Sequence, residues 1–303
     1  HFLAQQTKSI QTIMSRQHDY AIHQRALVNA LLPQINPAHM WADLGELSSF
    51  QTRSAVSDNG VKAAQWLRER ITAIAVDAGR RDISVYEVKN SQWLYKQPSI
   101  VMKWGHSDKP GIVLGAHMDT LPALYGKMPG ADDDGSGSVT LLEVARVLMN
   151  SGVEFDSPIY FIWYSAEEMG LIGSQAVVAD FAAKKIPVAG VIQFDMTGYT
   201  PHNKQEMWIL NDYVNPALTT FMHDLITEYV KRPVFYTACG YDCSDHASWH
   251  ALGYPAVAPA ESAFEEDNKD IHTAQDTMDK LSLEHMTDYA KLGVAFAVEL
   301  AKE

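Results

Sequence analysis

The sequence predicts a single α/β domain in which helices cover both faces of a mixed, mostly parallel central sheet. Short, almost continuous apolar runs recur along the chain and alternate with segments of helical periodicity, which is typical of strands buried on both faces. With 303 residues, of which 47% are hydrophobic, the chain can bury a substantial core. No Ser/Gly tract, Pro-rich stretch, charge block or repeat indicates a linker.

Three apolar runs predict the buried parallel strands, at residues 111–116, 158–164 and 188–194. Residues 83–88 and 99–103 predict two more strands, which we expect to pair antiparallel at one edge of the sheet. Helices are predicted at 20–32, 60–78, 136–149, 171–183, 216–230 and 282–301. The side chain of Asp134 or Ser136 is expected to cap the third of these helices. The first 80 residues are interpreted as helices packed on the sheet.

Metal-binding side chains follow the strand-like runs. His117 follows the first run directly, Glu167 and Glu168 lie just beyond the second, and Asp195 ends the third. Because ligands of such sheets gather at the carboxyl ends of the strands, these side chains are expected to meet. Taken alone, an Asp-rich loop is usually a solvated turn, a Glu-Glu pair is usually exposed, and a lone His is usually structural. Their shared position at the ends of predicted strands favours a metal site over these separate interpretations.

The complete set is typical of a zinc hydrolase. Imidazole and carboxylate ligands suit zinc, and a catalytic zinc keeps a position open for water or substrate. The set contains two histidines, enough carboxylates for two metals and one spare glutamate, which is what a hydrolase with a metal-bound water needs. The segments are 115–119, 130–135, 166–168, 194–196 and 271–273.

Charge and cysteine content exclude some classes and leave one question open. A formal net charge of −13 argues against nonspecific nucleic-acid binding and against docking on anionic membranes. No apolar stretch approaches the roughly 20 residues that span a bilayer. Cys239 and Cys243 are either two buried thiols or a disulfide, and a disulfide implies an oxidising compartment. A chain that begins at His1 fits a processed secretory protein, and equally a shortened one.

Seven motifs in the same order give the chain a family resemblance. From about residue 45 to its end, it resembles the M28 family of zinc aminopeptidases, particularly secreted bacterial leucyl aminopeptidases with two zinc ions. The resemblance implies a mixed sheet of about eight strands and one peptidase domain over residues 1–303. The motifs are GAHMDT (115–120), PGADDDGSGS (129–138), SAEEMGLIGS (165–174), QFDMTGY (193–199), CGYDCSDHASWHALGYPA (239–256), PAES (259–262) and IHTAQDT (271–277).

The resemblance implies a role for each candidate metal ligand. His117 and Asp195 would bind one Zn²⁺, Glu168 and His272 the other, and Asp133 would bridge the two. The family has a cis peptide after the bridging aspartate. We therefore expect two zinc ions per chain. His246 and His250 have the spacing of a metal pair, but the resemblance places their segment behind the site.

The resemblance also implies the catalytic roles. Asp119 would orient the His117 ring, and Glu167 would take a proton from the water that bridges the zinc ions. Tyr241 would polarise the scissile carbonyl, and a Cys239–Cys243 disulfide would shape the pocket. The expected activity is removal of the N-terminal residue from peptides with a free α-amine, by a secreted or periplasmic enzyme. We expect a monomer without nucleic-acid or membrane partners.

The predicted side-chain pocket differs from that of leucine-preferring relatives. Ala258 and Ala260 stand where those relatives carry bulky residues, and Asp267 stands where they carry an aromatic one. Asp267 is either part of a solvated acidic loop or the partner of a substrate Lys or Arg, which gives a preference that is broad or shifted toward basic residues. The expected lining is Met196, Cys239, Cys243, Ala258, Ala260, Phe264, Asp267 and Ile271.

Three other functions are alternatives to this one. A glutaminyl cyclase of the same fold uses a single zinc, whereas His117 and Asp195 together argue for two. A carboxypeptidase needs a basic clamp for the substrate carboxylate, and none is evident near the motifs. A non-catalytic binding module is expected to have lost ligands or the base, and here all five ligands and Glu167 are intact.

Overall fold

The fold is a six-stranded mixed sheet with helices on both faces and a second, three-stranded sheet beside it. The computed structural model describes residues 20–303. In the central sheet the strands lie in the order β1-β2-β4-β3-β5-β8. Its strands are β1 (Ile83–Val88), β2 (Ser99–Trp104), β3 (Gly111–His117), β4 (Ile159–Tyr164), β5 (Val188–Gln193) and β8 (Ala256–Val257).

The pairing of these strands confirms the predicted sheet. β4, β3, β5 and β8 pair parallel with one another, in keeping with their buried apolar sequences. β1 and β2 pair antiparallel at one edge, as the sequence predicts, and β2 pairs antiparallel with β4. The carboxyl ends of β3, β4 and β5 therefore lie side by side.

The strand number is close to the expected eight, but the strands are divided between two sheets. A small sheet has the order β7-β6-β9 and consists of β6 (Met207–Leu210), β7 (Val234–Thr237) and β9 (Pro259–Ala260). β8 and β9 are adjacent two-residue strands that pair with different sheets. The segment around residue 258 thus joins the central sheet to the small one, and it brings Ala258 and Ala260 to the boundary between them.

Eight α-helices in the described residues surround the sheets. The helices are α1 (Arg25–Leu31), α2 (Pro37–Ser49), α3 (Asp58–Asp77), α4 (Gly137–Met149), α5 (Ile172–Ala183), α6 (Pro216–Leu225), α7 (His246–Ala251) and α8 (Leu283–Ala301). Alternate residues along the strands face different cores. Ile112 and Leu114 of β3 pack with α4 and α8, whereas Val113 packs with Val177 of α5 and Trp249 of α7. Helices thus cover both faces of the sheet.

Helix boundaries differ from the prediction where side chains take over backbone hydrogen bonds. α1 begins at Arg25 rather than residue 20, because His23 N and Gln24 N donate to Oε1 of Glu299 at 3.0 and 2.8 Å. α6 ends at Leu225, and Ile226–Val230 continue it as a wider turn.

The sequence analysis missed α2 and α7. α2 begins with a cap on Asn36 and with Pro37 at its first position, a start signal that the sequence carries. The predicted domain, with its helical N-terminal part, also includes residues 1–19, which lie outside the described residues. Within the described residues, no helix combines the length and apolarity needed to cross a membrane.

A pair of glycine substitutions tests how tightly α5 packs on the end of β4. A Cβ atom on Gly173 would lie 1.9 Å from the carbonyl oxygen of Ser165, so Gly173→Ala forces the helix away. We expect it to lower the free energy of unfolding by about 1–3 kcal/mol. Gly45→Ala is the control, because a Cβ there meets nothing within 4 Å, and it should stabilise α2 by about 0.5–1 kcal/mol. Urea unfolding measures the free energy of unfolding of both variants. Equal changes in the two would contradict tight packing of α5 on the end of β4.

Candidate metal centre

The structure brings all five sequence-predicted ligands together in two adjoining groups. In the first, His117 Nε2 lies 3.0 Å from Asp133 Oδ1 and 3.4 Å from Asp195 Oδ1. In the second, His272 Nε2 lies 2.8 Å from Asp133 Oδ2 and 3.1 Å from Glu168 Oε2. Within each group the candidate ligand atoms lie within 4.8 Å of one another. Asp133 belongs to both groups and faces each with a different oxygen.

Strand ends supply most of these side chains, as the sequence predicts. His117 is the last residue of β3, Glu167 and Glu168 lie in the turn after β4, and Asp195 follows β5. Asp133 lies in an irregular turn, Ala131–Ser136, that leads into α4, and the Asp133–Asp134 peptide bond is cis, as the resemblance implies. His272 comes from the loop before α8.

Asp119 holds the His117 ring and the turn after β4 together. Its Oδ1 atom lies 3.2 Å from Nδ1 of His117, in keeping with the expected orienting role. The same carboxylate accepts hydrogen bonds from the backbone N–H groups of Glu167 and Glu168 at 3.0 and 3.1 Å. One carboxylate therefore fixes three candidate residues of the site.

Asp134 links the turn before α4 to two strand ends. Its Oδ2 atom accepts a hydrogen bond from His117 N at 3.1 Å, and its Oδ1 atom accepts one from Met196 N at 2.8 Å. Oδ1 also accepts from Gly137 N at 3.0 Å. Of the two capping residues that the sequence offers, Asp134 is thus the one that caps the start of α4.

Asp276 plays the corresponding part for Asp133. Its Oδ1 and Oδ2 atoms accept hydrogen bonds from the backbone N–H groups of Asp132 and Asp133 at 2.9 and 3.0 Å. Asp276 is 1% exposed and follows His272 closely in the chain. The sequence analysis missed this residue, although it lies inside the IHTAQDT motif.

Arg53 and Ser244 were also missed. The buried guanidinium of Arg53 donates hydrogen bonds to the carbonyl oxygens of Met118, Pro129 and Gly130, which lie on the segments that carry His117 and Asp133. Ser244 donates a hydrogen bond to Oδ2 of Asp195 at 2.5 Å and leaves Oδ1 to face His117.

Burial and crowding shift the pKa values of the cluster. Hydrogen bonds that the His272 ring donates to Asp133 and Glu168 raise the pKa of His272 to about 10. Burial, with Asp133 nearby, raises the pKa of Glu168 to about 8. Burial alone would raise the pKa of Asp133, but the hydrogen bonds with His117 and His272 lower it. A bound cation offsets the repulsion between carboxylates that converge in this way.

The donor set and one unsatisfied atom fit zinc. Imidazole nitrogens and carboxylate oxygens are typical zinc ligands, and the ligand atoms of each group are close enough to share one ion. Among residues 20–303, the buried Oε1 atom of Glu168 has no hydrogen-bond partner. A buried carboxylate oxygen is rarely left in that state unless an ion or a water satisfies it.

A cavity of about 580 Å³ opens beside the cluster, and Glu167 and Tyr241 both line it. Every residue of the expected pocket lies in its wall, namely Met196, Cys239, Cys243, Ala258, Ala260, Phe264, Asp267 and Ile271. The described lining contains no lysine or arginine. It contains seven carboxylate residues: Asp133, Glu167, Glu168, Asp195, Asp242, Glu261 and Asp267.

The mouth of the cavity is acidic and aromatic. The carboxylate of Asp267 lies in the wall and is paired with Lys269. Tyr241 is 54% exposed, and its ring contacts the edge of Phe264. Cys239 and Cys243 form a disulfide, which removes the alternative of two free thiols.

The segment after the disulfide does not add ligands. The candidate metal-binding groups in the described residues include neither His246 nor His250. His246 is 1% exposed, and burial lowers its pKa to about 4, which keeps the ring neutral.

Comparison with known proteins connects this geometry to one family. The sequence profile of peptidase family M28 matches residues 99–297. The chain is 40% identical to leucine aminopeptidase 1 of Emericella nidulans over 287 residues. This alignment covers 90% of the chain and 73% of that protein.

Two solved structures are similar over nearly the whole chain. The LapA aminopeptidase of Legionella pneumophila superposes with a TM-score of 0.92 at 48% identity, covering 95% of this chain and 75% of LapA. LapB of the same organism superposes with a TM-score of 0.91 at 47% identity, covering 94% of this chain and 77% of LapB.

Replacing Asp276 tests whether backbone hydrogen bonds preserve the metal centre. Asp276→Asn turns one acceptor into an N–H donor that faces a backbone N–H, so we expect zinc affinity to fall about 10–100-fold. Competition with a chromogenic chelator measures the affinity. Asp279→Asn is the control on the same loop, because that carboxylate is exposed and accepts from Thr277. Equal zinc affinity in both variants would contradict the role of Asp276.

Proposed function

The chain belongs to peptidase family M28 and is a zinc metallo-aminopeptidase, and we propose that it works with two zinc ions per chain. The position of Asp133 is the observation that supports a second zinc ion. Its Oδ1 atom faces His117 at 3.0 Å and its Oδ2 atom faces His272 at 2.8 Å, so one carboxylate can bridge two sites. His117 and Asp195 would complete one site, and Glu168 and His272 the other.

Bound zinc would polarise a water molecule and the scissile carbonyl in the open cavity. Glu167 is the residue that we assign to proton transfer. Its carboxylate lines the cavity, Oε2 lies 3.5 Å from His117 Nε2, and its backbone is held by Asp119. It accepts a proton from the attacking water and passes it to the leaving amine, as a general base and then a general acid.

Tyr241 stabilises the carbonyl oxygen as charge develops on it. The residue lines the same cavity as Glu167, on the loop closed by the disulfide. Its phenol can donate a hydrogen bond to the substrate oxygen, an interaction that strengthens toward the transition state. Asp119 acts through His117, whose ring it orients.

The cavity favours the free α-amine of a peptide. An ammonium group is attracted by the acidic lining, whereas the described wall offers no lysine or arginine to hold a substrate carboxylate. This supports an aminopeptidase over a carboxypeptidase. A peptide with a blocked N-terminus is expected to bind poorly.

The side-chain preference is proposed to be broad or shifted toward Lys and Arg. Ala258 and Ala260 leave room for a long aliphatic stem, and Asp242 and Asp267 supply negative charge in the wall. Lys269 already pairs with Asp267, so a substrate cation would have to share that carboxylate or displace the lysine. The charge contribution is therefore expected to be modest.

The disulfide and the self-contained site support the rest of the proposal. A disulfide persists in oxidising compartments, in agreement with a secreted or periplasmic enzyme. Every residue assigned above comes from one chain, so the proposed site needs no residue from a second subunit, in agreement with the expected monomer.

Zinc content and the loss of Glu167 test the proposed mechanism together. Metal analysis of the dialysed protein should give two zinc ions per chain. Glu167→Gln removes the base but no proposed ligand, so zinc content should stay unchanged while kcat falls on the order of 10²–10⁴-fold. One zinc per chain in fully active enzyme would overturn the two-ion proposal. Normal turnover in Glu167→Gln would instead overturn the assigned base.

Matched substrates test the side-chain preference. Lysine amide and norleucine amide share an aliphatic stem and differ in charge, so the ratio of their kcat/KM values isolates the effect of charge. We expect the ratio to favour lysine and to fall about 2–5-fold in Asp267→Asn, as for a partly exposed ion pair. Asp270→Asn is the control, because Asp270 pairs with Lys280 outside the cavity wall. A ratio that favours norleucine and is unchanged by Asp267→Asn argues that the acidic wall does not contribute to the side-chain preference.

A further inference from the structure

The loop of residues 239–243, here the disulfide loop, forms one wall of the cavity. Cys239, Tyr241, Asp242 and Cys243 all line the cavity from this loop. Closing the loop with a disulfide restricts its internal shape. It does not by itself fix how the loop is oriented against the sheets, because the bond joins two residues of the same short segment. Tyr241 at its centre is 54% exposed, and its ring contacts that of Phe264.

Asp212 supplies the hydrogen bonds that fix the disulfide loop from outside. Its Oδ2 atom accepts a hydrogen bond from Gly240 N at 2.7 Å, and its Oδ1 atom accepts one from Cys239 N at 3.3 Å. Within residues 20–303, these are the two hydrogen bonds found for the loop. An ionised acceptor makes such bonds stronger than neutral ones.

Asp212 is itself held by regular structure on both sides. It follows β6, the central strand of the small sheet, and the preceding Asn211 donates its backbone N–H to the carbonyl of Thr237 at 2.9 Å. Asn215 donates its backbone N–H to the carbonyl of Ala256 at 2.8 Å and caps α6 with its side chain. The carboxylate of Asp212 thus extends from a segment that both sheets hold in place.

We propose that Asp212 is a positioning residue that fixes the disulfide loop and, through it, the phenol of Tyr241 over the reacting carbonyl. The inference rests on the function proposed for Tyr241. Without Asp212, the loop keeps its disulfide and the packing of Cys239 and Cys243 against a small apolar cluster, but it loses the hydrogen bonds that fix its backbone beside Tyr241. A displacement of about 1 Å at a group that stabilises the transition state can cost a large factor in rate. The loss is therefore expected in kcat more than in KM.

A graded series at Asp212 tests the inference. Asp212→Asn keeps one of the two acceptor oxygens, and Asp212→Ala keeps neither. We expect kcat on leucine amide to fall about 10-fold in Asp212→Ala, with Asp212→Asn between it and the wild type. Asp224→Ala is the control, since that carboxylate is exposed on α6 and its ion pair among the described residues is with the neighbouring His223. Equal kcat in Asp212→Ala and wild type would overturn the inference.

A double-mutant cycle tests whether Asp212 acts through Tyr241. Tyr241→Phe should lower kcat about 100-fold, as expected for loss of an oxyanion donor. The kcat of the combined variant should match that of Tyr241→Phe within about twofold. Once the hydroxyl is absent, moving the ring removes no further hydrogen bond to the substrate. A further 10-fold loss in the combined variant would show that Asp212 acts by another route. Full activity of Tyr241→Phe would remove both the proposed role of Tyr241 and the inference that rests on it.

A measurement independent of turnover completes the test. In the zinc-loaded enzyme without substrate, amide hydrogen exchange at Cys239 and Gly240 should be at least 10-fold faster in Asp212→Ala than in the wild type. Unchanged exchange would contradict the anchoring role even if activity fell. An inactive wild-type enzyme with its zinc bound would count against the proposed function itself, before any variant is compared.

Discussion

Three buried carboxylates accept backbone N–H groups from neighbouring loops, and the geometry of the metal centre depends on them. Asp119 holds the turn after β4, Asp134 holds the ends of β3 and β5, and Asp276 holds the turn of Asp133. Each connection joins two segments that carry candidate ligands, so no segment can shift alone. Burial makes the loss of any of these hydrogen bonds costly, because the donor or acceptor left behind has no water to replace its partner. The loops of the site thereby acquire the rigidity of the strands that precede them.

The same arrangement concentrates negative charge, which the protein balances with few cations. Arg53 is fully buried and lies in the field of Asp276, Asp119 and Asp134, although its hydrogen bonds go to carbonyl oxygens. It is therefore both a cross-link between loops and a nearby positive charge. Proposed zinc ions would supply the remaining compensation at the side where the ligand oxygens converge.

The parts of the fold that could be predicted are those with a strong local pattern. The runs that became β3, β4 and β5 are continuous and apolar, and the metal-type residues at their ends signalled the edge where the site lies. The second sheet gave no comparable signal, because β6 and β7 have four residues each and β9 has only two. Asp276 and Arg53 show no periodicity, and their roles come from backbone partners that only the folded chain brings near. Asp267 was recognised as part of the wall, but its pairing with Lys269 depends on the shape of the loop.

The absence of lysine and arginine from the described cavity wall also affects how a peptide approaches. The proposed zinc ions offset the charge of Asp133, Glu168 and Asp195. The field that reaches beyond contact distance, over a screening length of about 8 Å at physiological ionic strength, therefore comes from wall carboxylates that bind no metal, such as Asp242 and Asp267. A peptide is a dipole with an ammonium at one end and a carboxylate at the other. The field turns the ammonium end inward before any contact forms and repels the carboxylate end. Chain polarity is thus selected during diffusion, ahead of recognition by the pocket.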